Sequence, residues 1–265
     1  MTDDISGKGD PIKTLKLLWG KAPAPRRGPK AKLEVADLVA AAVRIADREG
    51  LAALTTRRVA DEVGIAPMSV YTYVPGKDEL LDLMLDAVLG EVRPPRGAGW
   101  RAKLTDVARQ NWDLALRHPW MHEVATHRPV LGPKVFAKYD AELSAVDGIG
   151  LTDLEMNNVL TLVLDYVAGA VRGAARETWV KQRTGMTDDE WWKLVEPHMG
   201  ELYAPLVAVH PLASRVGQAF GEAHGAHDPA GSFAFGLERV LDGIAVLVNR
   251  RAAPAKKKAP RPRRP

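Results

Sequence analysis

The 265-residue chain contains no cysteine, which excludes disulfide frameworks, iron–sulfur clusters, thiolate zinc sites and cysteine nucleophiles. No apolar run approaches the roughly 20 residues that span a bilayer, and the opening MTDDISGKGD lacks the apolar stretch of a signal peptide. A cytoplasmic protein with no membrane partner is therefore expected. No segment shows the two-residue alternation of a half-buried strand bounded by hairpin turns, so the fold is expected to be all-α. Phosphate-cradling and nucleophile-elbow motifs (GxSxG, GxGxxG, the P-loop) are missing as well, which argues against an enzyme and against a cofactor. His122 and His127 superficially suggest a zinc HExxH helix. They are five residues apart, about 140° around an ideal helix, so they cannot share a metal from one face. His118 and His122 have the right spacing, but His118 precedes Pro119 and is pushed out of helix. No metal site is expected.

Charge is present but unevenly spread. Residues 8–32 hold eight Lys/Arg against the single acid Asp10, and residues 250–265 hold eight with no acid. The body at 33–249 has 21 Lys/Arg against 30 acids, a net charge of −9. Basic arms on an acidic body suit a nucleic-acid binder, because Lys and Arg release counterions from phosphate; the same composition also describes solvated tails. Four segments follow: a basic flexible arm at 1–32, a first domain at 33–93, a second at 94–251 beginning at the Pro94-Pro95 junction, and a basic disordered tail at 252–265.

Apolar residues recur at three- and four-residue spacing from Val35 to Ala46, and Gly50 stops the helix. A short helix starts at Thr55 or Thr56 and breaks at Gly64, and another begins at Pro67 and runs to about Tyr73. A longer helix carries Leu80, Leu81, Met84, Leu85 and Val88 on one face. Helical patterning continues at about 101–117, 119–126, 133–147, 152–184, 188–203 and 233–251, and the Gly/His/Pro-rich stretch 221–231 reads as a loop. Two short helices joined by a glycine turn have the layout of a helix-turn-helix, whose second helix enters the major groove. Val59, Ala60, Val63, Ile65 and Val70 supply its core, leaving Pro67, Met68, Ser69, Tyr71, Thr72 and Tyr73 as the outward set.

The stretch 33–90, with ADREGLAALTTRRVADEVG, the turn Gly64-Ile65-Ala66, PMSVYTYV and PGKDELLDLM, resembles the DNA-binding domain of the TetR family of bacterial repressors, near its tetracycline-repressor branch. The ending FAFGLERVLDGIAVLV resembles the last helix of that branch's ligand domain. The resemblance implies an N-terminal three-helix helix-turn-helix domain followed by a helical ligand-binding and dimerisation domain. It implies phosphate or groove-edge contacts for Thr55, Thr56 and Arg57, and base contacts for Met68 and Ser69, which Pro67 precedes. Tyr71 and Tyr73 match an aromatic pair at the DNA backbone, and Lys77 matches a phosphate-binding lysine. The sequence departs from the tetracycline repressor at Pro67, Met68 and Thr72, so a different operator is expected.

In the second domain, small residues around Gly169 and Gly173, and the periodic Phe233, Leu237, Val240, Leu241 and Ile244, suit either an intramolecular core or the four-helix dimer interface that the resemblance implies. Six of the seven tryptophans lie beyond residue 99. Trp112 and Tyr166, with Met121, Tyr139 and Asn158, are the expected lining of an apolar effector pocket. The tetracycline repressor's histidine-linked metal–drug site has no counterpart, so tetracycline itself is not expected. The expected function is a homodimeric repressor that binds a palindromic double-stranded DNA operator and is released by a small apolar or aromatic effector. The alternative is a DNA-binding architectural or constitutive regulator with no ligand.

Overall fold

A computed structural model describes residues 4–22, 33–124, 128–224 and 228–252, and contains helices and connecting turns with no strand among them. Helix α1 spans Pro11–Leu18. The first domain comprises α2 (Val35–Glu49), α3 (Thr56–Val63), α4 (Pro67–Val70) and α5 (Lys77–Leu89). The second comprises α6 (Gly99–Arg117), α7 (Pro133–Leu143), α8 (Asp153–Thr184), α9 (Asp188–Val209), α10 (Pro211–His224) and α11 (Pro229–Ala252).

Helix ends follow local chemistry. Thr55 caps α3 by accepting from the Arg58 N–H at 3.2 Å, and Gly64 ends it in the left-handed region at φ +72°, which only glycine adopts without strain. Pro67, whose ring pre-sets a helical φ, opens α4. At the start of α9 the Thr187 hydroxyl accepts from the Glu190 N–H while the Glu190 carboxylate accepts from the Thr187 N–H, a reciprocal capping box.

Two cores form. The first joins Leu38 and Ile45 of α2, Val59 of α3, Val70 of α4 and Leu81, Met84 and Leu85 of α5. Trp120 and Val124, from the second domain, belong to this core too. The other core sits between α6, α8 and α11, around Leu104, Val107, Trp112, Leu160, Val163, Phe233, Leu237 and Leu241. Helices α9 and α10, which follow α8 and precede α11 in the chain, pack on each other as a hairpin.

Two expectations are corrected. Residues 4–22 are not a loose arm: Asp10 caps α1, Leu17 and Leu18 pack on the first core, and the Trp19 indole N–H donates to the Leu131 carbonyl at 2.9 Å. The apolar stretch at Leu15–Trp19 overrides the flexibility that the surrounding Pro, Gly and Lys imply. The remaining arm residues 23–32, and the tail from 253 on, lie outside the described residues. The stretch 221–231 is not one loop either, because α10 extends to His224 and α11 begins at Pro229.

Candidate nucleic-acid interface

Helices α3 and α4 present a continuous polar and aromatic face. Met68 is 75 % exposed and Tyr71 48 % exposed, beside the exposed Arg57, Pro67 and Thr72. Neighbouring exposed apolar groups of this size suit an interaction surface. The Thr56 hydroxyl lies 3.3 Å from the Tyr71 hydroxyl, and the Thr72 hydroxyl donates to the Ser69 carbonyl at 2.7 Å, so these side chains are held in place. Thr55, Thr56, Tyr71 and Lys77 line one shallow cleft between the start of α3 and the start of α5. Ser69 and Tyr73 are half-buried, and Tyr73 packs against the first core rather than standing clear of it.

Adjacent cations are sorted by their partners. Arg58 pairs with Glu49 at 2.8 Å and Glu62 at 3.0 Å, and Arg48 pairs with Glu62 at 3.1 Å. Hydrogen bonds from these guanidiniums hold the Glu49 and Glu62 carboxyls below their ordinary range. Arg57 stands on the exposed side of α3, with no ion pair among the described residues. The network therefore consumes Arg58 and leaves Arg57 for an outside anion.

Helix α5 ties the N-terminal segment and the second domain to this domain through carboxylates that sequence reasoning missed. Glu79 accepts from the Asp10 N–H at 2.9 Å, and Asp82 accepts from the Gly7 N–H at 3.0 Å. Asp86 accepts from the N–H groups of Lys134 and Val135 at 3.1 and 3.0 Å, capping α7 from outside. All three acids are buried, and burial pushes the Asp82 carboxyl up although the Gly7 N–H pulls it down. Their signal was the spacing, which places three acids on the face of α5 that also carries Leu83. On the other side of the junction, the His118 Nδ1 and the Trp120 indole N–H each lie 2.8 Å from Asp47 Oδ1, and His118 Nε2 lies 3.3 Å from Glu91 Oε1.

The residues expected to line an effector pocket do not converge. Trp112 is buried and stacks on Phe233 at 4.3 Å, with Tyr166 6.0 Å beyond. The Tyr166 hydroxyl donates to the Phe233 carbonyl at 2.8 Å and lies against Gly236, where a Cβ would come within 2.3 Å of the Tyr166 hydroxyl oxygen. Met121 instead packs on the first core, Tyr139 is exposed and donates to Asn157, and Asn158 is exposed. An open groove of about 1090 Å³ lies instead between α9 and α10, lined by Trp192, Met199, Tyr203, Leu206 and Phe220. The apolar spacing of Leu212, Val216 and Phe220 was the available signal for α10.

The expected dimer residues divide in the same way. Phe233, Leu237, Leu241 and Ile244 are buried in the chain's own core and cannot meet a partner. Gly169 is exposed with open space above it, while Gly173 and Val240 are half-buried. The outward faces of α8 and α11 carry Leu162 at 50 %, Phe235 at 67 % and Val246 at 50 % exposure. Among the described residues no cluster of three potential metal ligands occurs, and no helix is long and apolar enough to cross a membrane.

Comparison with known proteins agrees with this architecture. The bacterial tetR-family regulatory domain matches residues 38–84, and the tetracyclin repressor-like C-terminal domain matches residues 93–248. The chain is 42 % identical over 252 residues, 94 % of its length and 90 % of the relative's, to the HTH-type transcriptional repressor DrrR1 of Streptomyces coeruleorubidus. It is 27 % identical over 220 residues to the class A tetracycline repressor from transposon 1721 of Escherichia coli, covering 81 % of this chain and 91 % of that one. In structure it is similar to ActR of Streptomyces coelicolor in complex with actinorhodin, with a TM-score of 0.66, 24 % identity, and coverage of 82 % of this chain and 97 % of that one. The chain belongs to the TetR family of transcriptional regulators, DNA-binding proteins rather than enzymes, with a helix-turn-helix domain followed by a tetracyclin repressor-like C-terminal domain.

Proposed function

We propose that this protein is a ligand-responsive repressor that binds a palindromic operator as a homodimer and is released by a small apolar or aromatic molecule. The observation that carries the reading is the exposed face of α3 and α4, where Met68, Tyr71 and Arg57 face solvent beside Thr55, Thr56 and Lys77. Residues 33–93 serve as the DNA-binding domain and 94–251 as the effector and dimerisation domain. Repression is supported by the relative named as a repressor, and a small-molecule effector by the related structure that holds actinorhodin. The groove between α9 and α10 suits an aromatic effector, since binding sites for such molecules are concave and mostly apolar. An effector acts only through its preference for the conformation whose recognition helices misfit successive major grooves, which lie about 34–36 Å apart.

Selection from a random duplex pool should return a palindrome. On that duplex Lys77→Ala should weaken binding and make the dependence of log K on log salt shallower by about one contact. Ser69→Ala should instead change base preference. A Lys77→Ala variant with unaltered affinity and slope would remove the phosphate role.

The dimer face gives a separate prediction. Val246→Asp, on the exposed side of α11, should produce a folded monomer at micromolar concentration in sedimentation. Leu241→Asp, on the buried side, should lose helicity outright, because an unpaired charge in a core is strongly destabilising. A Val246→Asp variant that remains dimeric would move the interface elsewhere.

A further inference from the structure

The N-terminal segment reaches the same lysine that the DNA reading needs. Lys77 opens α5, and its ammonium lies 2.9 Å from Asp4 Oδ1. Asp4 is held there by the chain that follows it. The buried Ser6 hydroxyl donates to the Arg128 carbonyl at 2.8 Å, and the Arg128 guanidinium donates to the Gly7 carbonyl at 3.1 Å. The N–H groups of Gly7 and Asp10 are taken by Asp82 and Glu79 of α5. This close approach depends on two glycines. Gly7 has φ +67° with the Arg128 side chain 3.1 Å from where its Cβ would be, and a Cβ on Gly9 would come within 2.6 Å of Glu79 Oε1.

We propose that Asp4 restrains operator binding: it holds the Lys77 ammonium while the protein is free, and a DNA phosphate must displace it. The inference rests on the reading of Lys77 as a phosphate contact. A carboxylate at 2.9 Å already satisfies one of the three ammonium donors and opposes the charge a phosphate would feel. The pair is half-exposed, with 37 % of the Lys77 side chain and 23 % of the Asp4 side chain open to solvent, so exchange of one anion for another needs no unfolding. Glu123, from the second domain, lies within the field of both charges: burial raises its carboxyl, Asp4 raises it further and Lys77 lowers it. Lys77 is therefore the cation on which the N-terminal segment, the second domain and the DNA face all bear.

The test uses the full chain and a fluorescein-labelled mixed-sequence duplex, because a phosphate contact is independent of sequence. Asp4→Asn should bind about fivefold tighter at low salt, with a salt slope steeper by about one. Asp4→Glu, which keeps the charge, should behave as wild type. Gly9→Ala, whose Cβ crowds the Glu79 carboxylate that holds the Asp10 N–H, should tighten binding in the same direction where it loosens the segment. In a Lys77→Ala background Asp4→Asn should change nothing, since it acts only through that lysine. Lys77→Ala weakening binding while Asp4→Asn leaves affinity and slope unchanged, or weakens them, overturns the role of Asp4 and spares the DNA reading. Lys77→Ala with wild-type binding overturns both.

Discussion

Replacing Trp120 by alanine should lower the thermal midpoint by about 10 °C or more. The side chain is 1 % exposed and sits in the core of the DNA-binding domain, although it belongs to a short 3₁₀ turn, Pro119–His122, of the C-terminal domain. Truncating a buried tryptophan costs about 3–5 kcal/mol, and each kcal/mol moves the midpoint by roughly 2–4 °C in a chain of this size. The indole N–H also donates to Asp47 Oδ1 at 2.8 Å, tying α2 to the turn. Trp120→Phe keeps the apolar body and loses only that bond, so it should cost about 1–2 kcal/mol. Differential scanning calorimetry separates the two variants. Trp120→Ala should also blunt any effector response, because this contact joins the domains without touching the exposed face of α3 and α4. A midpoint within about 2 °C of wild type would mean that the core closes over the missing ring.

The helix-turn-helix was legible because its signals are local. Thr55, Gly64 and Pro67 punctuate the chain where α3 and α4 start and stop, and the apolar spacing of α2 and α5 needs no knowledge of partners. The failures share a different cause, namely contacts between segments distant in sequence. On α5, Glu79, Asp82 and Asp86 are each buried and accept backbone N–H groups from residues 48 to 75 positions away. Nothing in their own neighbourhood announces those donors. On α11 apolar residues stand on both the buried and the exposed sides. The period of Phe233, Leu237, Leu241 and Ile244 identifies a buried stripe but not what buries it, and the structure assigns it to α6 and α8 of the same chain, leaving Phe235 and Val246 outward. Trp112 and Tyr166, expected to line a pocket, each stack on Phe233. An aromatic at helical spacing carries no mark that separates core from pocket.

In the C-terminal domain, the second large effect is expected at Glu142. Its side chain is 1 % exposed, with Oε2 2.7 Å from Lys138 Nζ one turn earlier on α7 and Oε1 accepting from Asn111 of α6 at 2.6 Å. A buried ion pair gains little over apolar residues of the same shape, because both charges must leave water, but removing one partner strands the other. Glu142→Ala and Lys138→Ala should therefore each cost about 3–5 kcal/mol, whereas the double replacement Lys138→Met with Glu142→Leu should be close to neutral or stabilising. Of the two single variants Lys138→Ala should be the worse. Glu142 is the deeper group and would keep only the Asn111 amide, while a stranded Lys138 ammonium can extend its four-carbon stem toward the surface. Urea unfolding of the three variants measures this directly through the midpoint at constant slope. If the double variant instead lost as much stability as the two single variants combined, the pair would be held for its geometry between α6 and α7. Asn111 would then be the next residue to replace, since it alone carries the carboxylate across that boundary.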